Sequence, residues 1–109
     1  MNELFKDKLL AREIYEQLMA ELEIGLYDVE VKKTSLHLTN GAAFLGISPK
    51  KNWLDITIVL NHRLEHQTLK KAEQVSKSRW HNDMRLSALS DVDSKVLAAI
   101  QEAYDLRKK

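Results

Sequence analysis

The sequence predicts an α+β domain, a two-layer sandwich in which a mostly antiparallel four-stranded sheet is covered by N- and C-terminal helices. Two observations carry this prediction. Apolar residues recur at helical spacing at both ends of the chain, and between the ends the apolar period shortens to two. In addition, Asn40-Gly41 separates two β-compatible runs, a strong hairpin signal because a type I′ turn needs positive φ at both central residues. With 109 residues the chain suits a single domain spanning 1–109. At that length folding buries roughly 60 to 70% of the unfolded surface, enough for one modest core.

The first helix is predicted from Leu4, Ala11, Ile14, Tyr15, Leu18, Met19 and Leu22, which share one side of the helical wheel, with Lys6, Glu13, Glu16, Gln17 and Glu21 opposite. Asn2 is the expected N-cap and Gly25 the expected stop. A three-stranded meander follows, marked by Val29, Val31, Leu36 and Leu38, then by Phe44, Gly46 and Ile47, then by residues 53–60. In the last run Leu54, Ile56, Ile58 and Leu60 face one way and Trp53, Asp55, Thr57 and Val59 the other, as in a strand with one buried side. Ser48-Pro49-Lys50-Lys51-Asn52 forms the turn before it. A weaker helical pattern of Leu64, Thr68, Leu69, Ala72 and Val75 predicts a helix or loop over 63–77. Trp80, Asn82, Met84 and Leu86 alternate with His81, Asp83 and Arg85 as a fourth strand. The closing helix shows Val92, Val96, Ala99, Ile100 and Ala103 on one stripe, with Ser90 and Asp93 at capping-box spacing. Asp91 and Asp93 at its start and Arg107, Lys108 and Lys109 at its end suit the helix dipole.

Composition excludes several classes. The chain has no cysteine, which removes disulfide scaffolds, thiol catalysis, Cys-based zinc sites and iron–sulfur clusters. No secretory signal or membrane-length apolar stretch is present in the sequence, so a cytoplasmic, soluble protein is expected. The formal charge of +1 conceals a polar layout: residues 1–30 carry a net −5 and residues 31–81 a net +6, with all four histidines in the basic middle.

Val31-Lys32-Lys33-Thr34-Ser35-Leu36, the run Phe44-Leu45-Gly46-Ile47-Ser48-Pro49-Lys50-Lys51-Asn52-Trp53-Leu54, and the ending from Met84-Arg85-Leu86-Ser87 to Ala103-Tyr104 carry a family pattern. The chain resembles a bacterial family of small domains of unknown function whose longer members are called "predicted transport protein". The resemblance implies an accessory module, in some longer chains behind a restriction-endonuclease-like nuclease domain. His81 falls where that family often has a glycine-flanked histidine, with Trp80 and Asn82 in place of the small neighbours.

No nucleophile elbow, phosphate-binding glycine loop or metal motif appears. His62 and His66 stand at i, i+4, but without further ligands they are expected to be surface histidines, so neither a metal nor a cofactor is expected. Asp83, Asp91 and Asp93 are expected at strand ends and caps. Lys32, Lys33, Lys50, Lys51, Lys77 and Arg79 have two readings. They form solvated turns, or they gather into a phosphate-binding patch beside Trp53, Trp80 and His81. Trp53 and Val59 on the outward side of their strand offer an apolar face to a partner, unless the second helix covers them. The expected function is thus non-catalytic: a binding or adaptor domain acting by protein–protein association, with a second copy among the candidate partners. Weak nucleic-acid binding by the basic middle is the alternative.

Overall fold

The computed structural model describes residues 2–107. After a 3-10 turn at Asn2–Phe5 come helix α1 (Leu9–Glu21) and strands β1 (Asp28–Val31), β2 (Leu36–Thr39), β3 (Ala43–Pro49), β4 (Leu54–Leu60), β5 (Leu69–Ser76) and β6 (Arg79–Leu86). A second 3-10 turn at Leu89–Asp91 leads into helix α2 (Ser94–Arg107). The strands form one antiparallel sheet in the order β1-β2-β3-β4-β6-β5. The α+β class holds, but the sheet has six strands rather than four. The difference arises at two places. The first predicted strand folds back at residues 32–35, where Lys32 N–H donates to the Ser35 carbonyl at 2.7 Å, and so becomes β1 and β2. Residues 69–76, expected as helix or loop, form edge strand β5, because pairing with β6 overrides the helix-forming composition of Lys70, Lys71, Ala72, Glu73 and Gln74.

Both helices cover the same face. Helix α1 packs on β4 and α2 on β3 and β4. Ile14, Leu18, Leu36, Leu38, Leu45, Ile47, Leu54, Ile56, Ile58, Leu60, Met84 and Ile100 are fully buried between the layers. Fully burying such aliphatic side chains contributes about 1.5–3 kcal/mol each. Phe44 joins this core through a β-bulge: Leu38 pairs with Leu45 and Thr39 with Ala43, which leaves Phe44 unpaired and turned inward against Tyr104 at a ring separation of 5.3 Å.

Helix ends depart from expectation. Asn2 lies in the 3-10 turn, and α1 begins seven residues later behind Lys8, which makes no side-chain cap bond. Helix α1 ends at Glu21 rather than at Gly25. Gly25 has a different reason to be glycine: a Cβ there would lie 2.5 Å from the Tyr104 hydroxyl. That hydroxyl donates to the Leu26 carbonyl at 2.8 Å. Of the Asn40-Gly41 pair only Gly41 has positive φ, at 83°, so the hairpin is a three-residue loop and not type I′. Asp93, rather than Ser90, caps α2, its Oδ1 accepting the Val96 N–H at 2.9 Å. Asp91 instead accepts the N–H groups of Ser87 and Ala88, closing the preceding 3-10 turn. Lys108 and Lys109, expected at the negative end of the last helix, lie outside the described residues.

Candidate functional site

The sheet face away from the helices is open, and its strand register sets the site. Cross-strand pairing places Glu30, His37, Gly46, Thr57, Asp83 and Lys71 in one row across all six strands. A second row runs Ser48, Asp55, Arg85, and a third pairs Val59, His81 and Glu73. The missing side chain of Gly46 leaves a hollow in the centre of the first row. A Cβ there would sit 3.7 Å from Thr57 Cβ and 4.0 Å from His37 Nε2. The hollow is a groove of about 440 Å³, and Ser35, His37, Gly46, Asp55, Thr57, Val59, Arg79 and His81 are among its lining residues.

Several of these groups already hold one another. Ser35 Oγ lies 3.3 Å from His37 Nε2, and the Thr57 hydroxyl donates to Asp83 Oδ1 at 2.7 Å. Asp55 sits between two cations, Lys70 Nζ at 3.4 Å and Arg85 Nε at 3.7 Å. The Arg85 guanidinium also lies 4.2 Å from the Trp53 ring centre, a cation–π contact. The face thus offers hydroxyl, imidazole and guanidinium donors. It does not align a nucleophile, a base and an orienting acid: the Ser35–His37 contact has no carboxylate behind it among the described residues, since Asp83 is engaged by Thr57.

The sequence-predicted residues separate. Lys32 and Lys33 in the β1–β2 turn and Lys50 and Lys51 in the β3–β4 turn lie at one end of the sheet. Lys77 in the β5–β6 turn, with Arg79 and Trp80 at the start of β6, lies at the other end, where Trp80 pairs with Leu60. The two tryptophans occupy opposite faces. Trp53 is on the open face under Arg85, while Trp80 shares the inward side of β6 with the buried Asn82, Met84 and Leu86. His81 does reach the groove. Val59 does too, uncovered by either helix, and forms floor rather than a protruding apolar surface. Sequence reasoning missed His37 and Gly46, whose proximity depends on register.

His62 and His66 do not converge. His62 Nδ1 donates to the Arg63 carbonyl at 2.9 Å and Nε2 contacts Glu102 at 2.8 Å. Those two bonds, the carbonyl's first, hold the imidazole pKa above its ordinary 6.5. His66 is almost fully buried, so the expectation of two surface histidines fails for it. Thr68 N–H donates to its Nδ1 at 3.1 Å, which leaves Nε2–H to donate to Asp93 Oδ2 at 2.9 Å. The Val96 N–H is the main cause that pulls the Asp93 carboxyl below its ordinary 3.8, with His66 adding to it against the cost of burial. These histidines tie the 61–68 segment to α2. Among the described residues no cluster of three His, Asp or Glu could hold a metal ion, and no helix is long and apolar enough to cross a membrane.

Comparison with curated proteins and with solved structures finds no match. A family model described as "Domain of unknown function (DUF5655)" matches residues 1–107, and the chain belongs to that family.

Proposed function

We propose that this protein is a non-catalytic association domain that pairs with a second copy of itself along strand β1. One observation carries the reading. Of the eight exposed large apolar side chains among the described residues, four (Leu26, Tyr27, Val29 and Val31) fall within six consecutive positions at one sheet edge. Leu26 is 92% exposed and Val31 51%. Val29 and Val31 pair with Leu38 and Leu36 and so continue the inner, apolar face of the sheet beyond the helices that cover β3 and β4. An edge strand of this kind is a template for another strand. The opposite edge is guarded, since β5 carries Lys70, Lys71 and Glu73 and is interrupted by two register shifts.

Charge along β1 favours a second copy over an arbitrary strand. Asp28 and Glu30 are followed on the same edge by Lys32 and Lys33. Antiparallel self-pairing centred on Val31 sets Glu30 of each copy opposite Lys32 of the other, and opposite charges across a strand pair contribute roughly 0.2–1 kcal/mol each. Nucleic-acid binding has less support, because the lysines it needs are divided between two ends of the sheet and Arg85 covers Trp53.

Sedimentation equilibrium of the wild type beside Val29→Lys and Val31→Lys tests the reading. Both substituted side chains are exposed, so the fold is expected to survive. A dimer in the wild type that becomes monomeric in the variants is the expected result. A wild type that stays monomeric to millimolar concentration, or a dimer indifferent to both lysines, refutes it.

A further inference from the structure

We propose that the open-face groove binds a small organic anion, with its anionic group between Arg79 and His81 and its apolar body along Gly46 and Val59. The acids and bases around the groove are unequally satisfied. Asp55 is held by Lys70 and Arg85, and Asp83 by Thr57. Arg79 and His81 have no carboxylate partner among the described residues. Lys70, Arg85 and Arg79 outnumber Asp55 and Asp83, so the groove presents net positive potential at its Arg79 end, and partial enclosure by protein strengthens that field.

A second arginine supports the same end of the groove. Arg107, from the last turn of α2, reaches Ala43 and donates from Nε to its carbonyl at 3.4 Å, and Ala43 lines the groove together with Arg79. The Nη2 atom of Arg107 is buried and has no hydrogen-bond partner. Burial lowers the Arg107 pKa, and the neighbouring charge of Arg79 adds to that effect. Two guanidinium charges near each other are stabilised by an anion placed beside them. Toward the other end the hydroxyl oxygens of Ser48 and Thr57, whose protons go to the Thr34 carbonyl and Asp83, offer acceptors to a ligand's further polar groups, beside Ser35 and the His37 imidazole. About 440 Å³ lies toward the lower end of the range for small-molecule sites, which suits a ligand built on a single ring.

The head group is a carboxylate or a phosphate monoester, and two probes distinguish them. Isotope-labelled protein is titrated with benzoate, with phenyl phosphate and with phenol as the uncharged control, and backbone amide shifts are followed by NMR. Saturable shifts at Gly46, Val59 and His81 with at least one anion, and none with phenol, are expected; whichever anion binds more tightly identifies the head group. Arg79→Gln, at an exposed strand end, is expected to weaken binding roughly tenfold or more through loss of a charge-assisted bond. Gly46→Val places a branched side chain in the hollow and is expected to abolish binding. The position tolerates a Cβ, because φ is not in the left-handed region and the nearest contact is an ordinary 3.7 Å. The proposal is overturned if neither anion shifts these amides, if phenol binds as well as the anions, or if Arg79→Gln binds undiminished.

Discussion

Asn82 is the one completely buried polar residue among the described residues, and its replacement by alanine tests how the 61–68 segment is held. Its side chain bridges that segment to the centre of the sheet. Oδ1 accepts the Leu64 N–H at 2.8 Å, while Nδ2 donates to the carbonyls of His62 at 3.2 Å and Ile58 at 3.3 Å. Truncation leaves a buried N–H with no acceptor, costing about 1–3 kcal/mol, and removes two further bonds worth roughly 0.5–1 kcal/mol each from carbonyls that keep a second lone pair. The expected loss is therefore about 3 kcal/mol, and at the usual scaling for a domain of this size Tm falls by roughly 10–20 °C. Urea unfolding gives the free energy, and hydrogen exchange at the Leu64 amide shows whether the loop is the part released. Asn82→Asp is the control: it keeps the acceptor for Leu64 but turns the donor into an acceptor facing two carbonyls. At neutral pH it should be at least as damaging as alanine. A loss below about 1 kcal/mol for Asn82→Ala, or an aspartate milder than alanine, would refute the anchoring role.

Three other outcomes are expected. Asp93→Ala removes the α2 cap and the acceptor for His66, and should cost about 1–2 kcal/mol in urea unfolding. Because the Asp93 carboxyl is depressed in the folded state, its contribution is fully present above pH 3.8 and disappears as pH falls through the lower folded value; Asp93→Asn should flatten the acid limb of the stability profile. His62 has the opposite sign: its raised pKa contributes stability that is complete below pH 6.5 and is lost as pH rises through the folded value. Since His62 and Glu102 are both nearly half exposed, this is worth less than about 1 kcal/mol, and Glu102→Gln should reduce but not abolish the slope in thermal melts across that range, because the Arg63 carbonyl remains. Gly25→Ala should push the Tyr104 hydroxyl off the Leu26 carbonyl, and the same substitution in a Tyr104→Phe background should cost less, giving a coupling of about 1 kcal/mol in a double-mutant cycle.

What the sequence reveals follows from which forces act locally. The stripes of Ala11, Ile14 and Leu18 and of Val96, Ala99, Ile100 and Ala103 face a continuous core, so a period near 3.6 is written into both helices. Strand β4 is read as easily, because one of its faces is wholly buried. Strand β5 is not, since most of its residues are exposed; Leu69, Ala72 and Val75 are three apart by composition and mean no helix. Its strand state comes from β6, a neighbour that residue-by-residue propensity cannot see. Gly25 misleads for a related reason. Helix termination and close approach by a distant tyrosine both select glycine, and only the chain's return at Tyr104 distinguishes them. For the site, the outward Asp55 and Thr57 are visible in the alternation, and His81 and Arg79 are visible in the basic middle. Their union with His37 and Gly46 depends on a register set by pairings far apart in sequence, and Arg107 reaches Ala43 across 64 residues. The same register brings Asn82 onto the apolar stripe with Met84 and Leu86, where alternation places it correctly but gives no hint of its three hydrogen bonds.

The two proposed surfaces use different parts of one sheet, and their geometry makes them compatible. Two copies joined antiparallel along β1 are related by a two-fold axis perpendicular to the joined sheet, so the open faces of both copies lie on the same side. The groove is centred on β3 and β4 and reaches His37 on β2, one strand in from β1. Pairing therefore leaves both grooves uncovered. Centred on Val31, it sets Glu30 of each copy opposite Lys32 of the other. Glu30 is the residue at which the surfaces meet, being a β1 edge residue and the cross-strand neighbour of His37. Substitutions at Val31 and Arg79 share no contact and should act additively, so that Val31→Lys abolishes pairing while leaving anion affinity unchanged. Glu30→Gln should alter both, weakening the charge match along β1 and removing a negative charge beside the groove. Tighter benzoate or phenyl phosphate binding in Glu30→Gln together with weaker self-association would show that one sheet carries both sites; a Val31→Lys protein that had lost anion binding would show that the groove is complete only in the pair.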